Sequence, residues 1–166
     1  MARLAIAVMA KAPIPGEAKT RLGAEIGYSA AAAVYQAFLQ DTLDVLDAGT
    51  SSLELAAKVL VCPARHHADE LRQIVSDDWP VVTQTRPGLM GGIADAFDGA
   101  FARGADLAVV TDADSPLALW EGWVHCLAVA ARHDVAFGPT TDGGYYLIAA
   151  RASAGPRLAD LLLGTA

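Results

Sequence analysis

The sequence predicts an α/β fold, a single domain with a mostly parallel sheet and helices on both faces. Three observations lead there. Short runs rich in Val, Ile and Leu alternate with longer stretches of helical periodicity along the whole chain, the pattern of strand–helix–strand units. The first run, Leu4 to Ala10, is continuously apolar, as in a buried strand, and ends in a loop rich in Pro and Gly. The chain has 166 residues, 54% of them hydrophobic and 19% charged, enough for one core and short of two domains.

After the first strand, Pro13, Pro15 and Gly16 turn the backbone, and the loop gathers Lys11, Lys19 and Arg21. Three cations on one loop at the carboxyl end of a strand match the place where open α/β sheets bind ligands. Two prolines reduce the entropy lost when an anion orders the loop, and Gly16 lets backbone N–H groups come close to phosphate oxygens. Ala18 stands before Lys19 and Thr20 where a Walker A loop requires glycine, so this is not a P-loop.

Ser29 then caps a helix whose apolar positions run from Ala31 to Leu46, with Gly49 as its stop. Lys58 to Cys62 reads as a second strand, and Ala68, Leu71, Ile74 and Val75 as the apolar face of a second helix that His66 and His67 begin at the surface. Trp79 to Thr85 is a third strand. Gly88, Gly91 and Gly92 form a flexible loop into a helix carrying Ile93, Phe97, Ala100 and Phe101, and Leu107 to Thr111 is a fourth strand. Pro116 opens the next helix, which buries Leu117, Trp120, Val124, Leu127 and Ala131. Strands at Asp134 to Gly138 and Tyr145 to Ala150 and a short helix from Pro156 to Leu163 follow.

A net charge of −7 argues against a general affinity for nucleic acid or for an anionic membrane surface, and makes the cation cluster a local anion site. Cys62 and Cys126 lie far apart in core segments, as buried free thiols do, and the histidines share no zinc-type spacing with them. No apolar run reaches the roughly 18 residues of a membrane span. Lys11 and Pro13 interrupt the apolar N-terminus too early for a signal sequence, so a cytoplasmic protein is expected.

Two further motifs carry chemistry. Asp112 and Asp114 stand where the fourth strand ends, and residues i and i+2 of an extended chain face the same way, so both could meet one divalent ion. Carboxylate oxygens without Cys or His favour Mg²⁺ or Mn²⁺. Capping of the next helix would account for Asp114 or Ser115 but leaves Asp112 without a reason. The stretch GPTTDGGYY, Gly138 to Tyr146, places Asp142 beside Gly143 and Gly144. A hairpin turn accounts for it, and so does a substrate contact in which the glycines admit a ligand to the backbone, Asp142 binds hydroxyls or metal, and Tyr145 lines the pocket.

The motifs MAKAPIPGEAKTRL, DADSP and GPTTDGGYYLI, in that order, resemble a bacterial family of GT-A-fold, glycosyltransferase-like proteins described as radical-SAM/selenodomain-associated transferases. The first motif also resembles the nucleotide loop of 2-phospholactate guanylyltransferases and, more loosely, of molybdenum-cofactor guanylyltransferases. The likeness covers Leu4 to Ile148. It implies a three-layer α/β/α GT-A-like domain with a nucleotide or nucleotide-sugar site at Lys11, Gly16, Lys19 and Arg21. It further implies metal at Asp114 and substrate at Asp142, Gly143, Gly144 and Tyr145. The chain departs from the family pattern at Pro87 to Ile93, which holds neither the acid nor the arginine usual there, and at Asp112-Ala113-Asp114, where Gly-Ser-Asp or Gly-Thr-Asp is common.

The resulting expectation is a transferase that uses a nucleoside diphosphate sugar with Mg²⁺ or Mn²⁺ and a small-molecule acceptor. A nucleotidyltransferase acting on a phosphorylated acceptor is the alternative, and a degenerate nucleotide-binding protein without turnover is a third. No residue is assigned as catalytic base. The chain ends at Ala166, short of a segment that in such folds often closes the metal site, so closure is expected from Asp142, from a partner subunit, or not at all. Leu158, Leu161, Leu162 and Leu163 would then leave apolar surface, which makes a homo-oligomer an expectation to test.

Overall fold

The computed structural model describes residues 2–115 and 120–164. Its centre is a six-stranded sheet of order β3-β2-β1-β4-β6-β5. The strands β1 (Leu4–Met9), β2 (Leu55–Cys62), β3 (Val81–Thr83) and β4 (Leu107–Asp112) are parallel. The hairpin of β5 (Val135–Pro139) and β6 (Tyr145–Arg151) adds to β4 through β6, which runs antiparallel to both neighbours. The mostly parallel sheet expected from the alternation is therefore present, with one strand reversed.

Alternate residues of the central strands feed two cores. Ile6, Val8, Leu60, Cys62 and Val109 face Tyr35, Leu39, Leu43 and Leu46 of α2 (Tyr28–Thr50), Leu71 of α3 (Arg65–Ile74), and Trp123 and Cys126 of α5 (Trp120–Ala130). On the other side Ala5, Ala7, Val61, Ala108 and Val110 face Ile93, Phe97 and Ala100 of α4 (Gly88–Ala102) and Leu158 of α6 (Gly155–Leu163). Small residues on the second face bring α4 close to the sheet. Each fully buried Leu or Ile stabilises by roughly 1.5–3 kcal/mol relative to exposure, so this period-two sorting fixes the register of every strand.

Several boundaries differ from expectation for identifiable reasons. A separate helix, α1 (Thr20–Ile26), forms directly after the loop, and Gly27 rather than Ser29 precedes α2. Gly49 does not stop α2. It lies inside the helix because a Cβ there would sit 2.4–2.6 Å from the Trp120 ring. Thr42 and Thr50 keep their hydroxyls satisfied within the helix by donating to the carbonyls of Phe38 and Leu46. Gly88, Gly91 and Gly92 are not a flexible loop. They are the first turn of α4, with Gly91 against Arg86 and Gly92 against Gln84 and Met9. Strand β3 keeps only three of the expected residues, and buried Trp79 instead donates its indole N–H to Asp47. Pro116 and Leu117, expected to open α5, lie outside the described residues. At the C-terminus Leu158 is buried and Leu162 packs on the second core, while Leu161 and Leu163 are exposed.

Candidate functional site

The strand order creates the site. From β1 the chain moves outward to β2 and β3, then returns across the sheet to β4 on the other side of β1, so β1 and β4 are parallel neighbours whose following loops diverge. Such a switch point opens a crevice at the carboxyl ends of the strands. Met9 and Asp112, the last residues of β1 and β4, are register partners, and the cation loop and the acidic loop therefore leave the sheet side by side.

The crevice is a cleft of about 860 Å³. Lys11, Glu17, Lys19 and Arg21 of the first loop and Asp112 and Asp114 of the β4 end line it, with Tyr35, Gln84, Gly88 and Leu89 among the remaining lining groups. The loop is held by its own backbone: Glu17 and Ala18 donate to the Ile14 carbonyl, and Gly16 takes a positive φ of 85° that a side chain would resist. Lys19 adopts φ 49°, the positive φ of a non-glycine residue among the described residues. That left-handed turn starts α1 and directs the ammonium group into an ion pair with Asp114 Oδ2, both side chains being about one-third exposed (31% and 33%). Tyr35 reaches up from α2 and accepts the Lys11 backbone N–H at 3.0 Å. Burial, with help from Asp114 and Asp112, pushes its hydroxyl up to about 12, so it stays a neutral phenol.

Asp112 is the least satisfied group of the site. Its Oδ2 accepts from Ser115 Oγ at 2.8 Å, but Oδ1 is buried and has no hydrogen-bond partner among the described residues. Burial raises the carboxyl above its ordinary value, and the charge of Asp114 adds to the effect, while Ser115, the Asp114 backbone N–H and Lys19 act against it. An orphaned buried carboxylate oxygen beside a second carboxylate is a donor set that suits a hard divalent cation, and the residues present fit Mg²⁺ or Mn²⁺ on that ground.

The substrate candidates lie elsewhere. Asp142, Gly143 and Gly144 form the β5–β6 turn, where Asp142 Oδ1 accepts from Thr140 Oγ1 and from the Gly144 N–H, and those hydrogen bonds lower its pKa. The turn chemistry thus occupies Asp142 in full view of solvent. Tyr145 links this hairpin to the cleft mouth: its hydroxyl lies 3.9 Å from Met90 Sδ, one residue beyond Leu89, and its ring packs on Phe137 with centroids 5.5 Å apart. Gly16 is not among the cleft-lining residues. Tyr35 and Gln84 were not legible as site residues, since only the tertiary arrangement brings a side chain of α2 and one from just beyond β3 to the cleft. Cys62 and Cys126 are buried free thiols, as expected, and burial raises both pKa values.

A three-layer α/β/α sheet with this order, and a cleft at the switch point, defines the nucleotide-diphospho-sugar transferase fold. Residues 42–164 match the family described as an uncharacterized protein conserved in bacteria (DUF2064), and the chain belongs to that family. Among solved structures it is similar to a protein assigned as a nucleotide-diphospho-sugar transferase from Desulfovibrio desulfuricans G20, with a TM-score of 0.84 and 28% identity over 99% of this chain and 69% of that one. The fold is shared with a 4-diphosphocytidyl-2C-methyl-D-erythritol synthase from Anaerococcus prevotii (TM-score 0.63, 11% identity, 98% of this chain and 77% of that one). It is shared also with Rv0371c of Mycobacterium tuberculosis H37Rv, determined with manganese (TM-score 0.61, 16% identity, 95% and 75%). No protein of curated function matches the sequence. Among the described residues no helix is long and apolar enough to cross a membrane.

Proposed function

We propose that the chain is a transferase that binds a nucleoside diphosphate sugar together with a divalent cation and passes the sugar to a small acceptor. The observation that carries this reading is the pairing of Lys19 with Asp114 beside the orphaned Asp112 oxygen in one cleft. Three cations of one loop and the two strand-end carboxylates, gathered in one cleft, complement a diphosphate and its counter-ion. The likeness to the Desulfovibrio protein supports a nucleotide-sugar donor. Kinship with the radical-SAM/selenodomain-associated transferases belongs to the proposal and rests on the MAKAPIPGEAKTRL, DADSP and GPTTDGGYYLI motifs. A single nucleotide-binding domain spanning residues 1–166 is part of the same proposal.

In this reading Lys11, Lys19 and Arg21 bind the diphosphate, and charge-assisted hydrogen bonds from them strengthen as negative charge builds on the leaving group. Asp112 and Asp114 would hold Mg²⁺ or Mn²⁺, which when bound supplies further counter-charge to the diphosphate. Tyr145 and the Asp142-Gly143-Gly144 turn are assigned to the acceptor, a role supported by the approach of the Tyr145 hydroxyl to Met90 beside the cleft. A nucleotidyltransferase would use the same loop and carboxylates, and the donor separates the two. Thermal-shift measurements with UDP- and GDP-sugars against GTP and CTP, with and without Mn²⁺, test the proposal. Stabilisation by a nucleotide sugar supports it, and stabilisation by the triphosphates alone moves the assignment to nucleotidyl transfer.

A further inference from the structure

Beside the cation loop lies a cluster that the diphosphate reading leaves unused, and one of its members, Glu17, also lines the cleft. Glu17, His66 and His67 bring their donor atoms within 4.8 Å of one another. His67 does not begin α3 at the surface as the sequence suggests. Its side chain is 5% exposed, and its Nδ1 lies 3.1 Å from the backbone nitrogen of Ala12. A backbone N–H can only donate, so Nδ1 carries a lone pair, and the neutral ring has its proton on Nε2. That nitrogen is 3.4 Å from Glu17 Oε2, which His66 Nε2 also approaches at 2.9 Å.

Two histidines and a carboxylate invite a metal reading, and the tautomer opposes it. A metal-bound imidazole donates a proton from its other nitrogen, whereas the other nitrogen of His67 accepts one. We propose instead that His67 is the positioning residue of the cation loop. One ring nitrogen holds the Ala12 N–H where the loop begins, and the other holds Glu17 two residues before Lys19. The inference rests on the proposed diphosphate role of this loop for its functional meaning, but the anchoring itself does not depend on a ligand.

The chemistry predicts how the anchor fails. The groups facing the ring are His66 on α3 and Glu17 and Lys11 on the loop; burial lowers the His67 pKa, His66 and Lys11 act in the same sense, and Glu17 opposes them. Because the folded-state value lies below the ordinary 6.5, the neutral ring and its stabilisation are fully present above that pH and are lost as pH falls through the folded-state value. A protonated ring cannot accept from Ala12, and the start of the loop is released.

The test uses the full chain without ligand. Imidazole ¹⁵N shifts should show the Nε2–H tautomer of His67 at pH 7.5, and the Ala12 amide should be protected from hydrogen exchange. In His67→Leu that protection should drop by about tenfold or more while amides of β1 keep theirs. His67→Asn supplies a side-chain oxygen as acceptor, so it should retain Ala12 protection and lose the wild type's acid-dependent release. If His67→Leu does not fold, the tautomer, the wild-type pH profile and His67→Asn still decide. Titrations with Mn²⁺, GDP-mannose and UDP-glucose run in parallel. Loss of sugar-nucleotide affinity in His67→Leu with its retention in His67→Asn extends the anchor to function. An absence of nucleotide binding in the wild type would overturn the diphosphate reading and leave the anchor standing. An Nδ1–H tautomer, undiminished Ala12 protection in folded His67→Leu, or Mn²⁺ or Zn²⁺ bound stoichiometrically at His67 Nε2 would overturn the positioning role.

Discussion

Replacing Asp112 by Asn should stabilise the metal-free protein and abolish its response to metal, two effects of opposite practical sign from one substitution. In the metal-free chain the Asp112 Oδ1 is buried without a partner among the described residues, and burial with the nearby Asp114 charge raises the carboxyl pKa above 3.8. A group whose folded-state pKa is raised contributes stability at low pH that is lost as pH rises through that value, so at neutral pH the ionised carboxylate weighs against the fold. A buried polar atom without a partner costs about 1–3 kcal/mol, and the amide removes the charge but still leaves one atom unpaired. A gain of about 1 kcal/mol is therefore expected, a rise in Tm of about 2–4 °C for a domain of this size. Wild type with Mn²⁺ at a hundredfold its Kd should gain roughly 2.7 kcal/mol, and Asp112→Asn nothing. Calorimetry of chelator-treated protein, followed by a Mn²⁺ series, measures both. A metal-free variant less stable than wild type, or one that still responds to Mn²⁺, would refute the reasoning.

Other substitutions separate binding from folding. Lys19→Ala and Arg21→Ala should each weaken nucleotide affinity about tenfold, while the Lys19–Asp114 pair, partly exposed, contributes no more than about 1 kcal/mol to stability; titration calorimetry beside a melting curve checks both halves. Gly92→Ala should destabilise by about 1–3 kcal/mol, because its Cβ would meet Gln84 Oε1 and the Met9 methyl at 2.4 and 2.7 Å; an unchanged denaturation midpoint would show that these side chains move aside freely. Gly49→Ala should cost at least as much, since the obstacle is the Trp120 ring, and loss of indole fluorescence environment would report it.

The fold was legible because its signals are local. The Val-rich and Leu-rich runs of β1, β2 and β4 and the 3.6-residue pattern of α2 lie within single windows, and the alternation of strand and helix then dictates a parallel sheet. Reversal of β6 was implicit in the Asp142-Gly143 turn, whose positive φ of 87° at Gly143 suits a hairpin. The glycines of α4 misled because their composition reads as flexibility, whereas Gly91 and Gly92 answer to atoms on Arg86, Gln84 and Met9. For the site, charge clustering flagged Lys11, Lys19, Arg21, Asp112 and Asp114, and the cleft gathers all five. Periodicity could not distinguish Tyr35 as a core residue from Tyr35 as a backbone anchor. Nor could it show that His67, in a polar run, turns inward to Ala12.

In the proposed function the cleft holds a nucleoside diphosphate with a divalent cation between the cation loop and the two aspartates. Titration calorimetry of GDP-mannose and UDP-glucose against wild type and Asp114→Asn, each with Mn²⁺ and with chelator, tests it most directly. Mn²⁺ should raise the affinity of wild type for at least one of these ligands by about tenfold, worth about 1.4 kcal/mol, and leave that of Asp114→Asn unchanged. Equal affinity in all four conditions, or an Asp114→Asn response matching wild type, would contradict it.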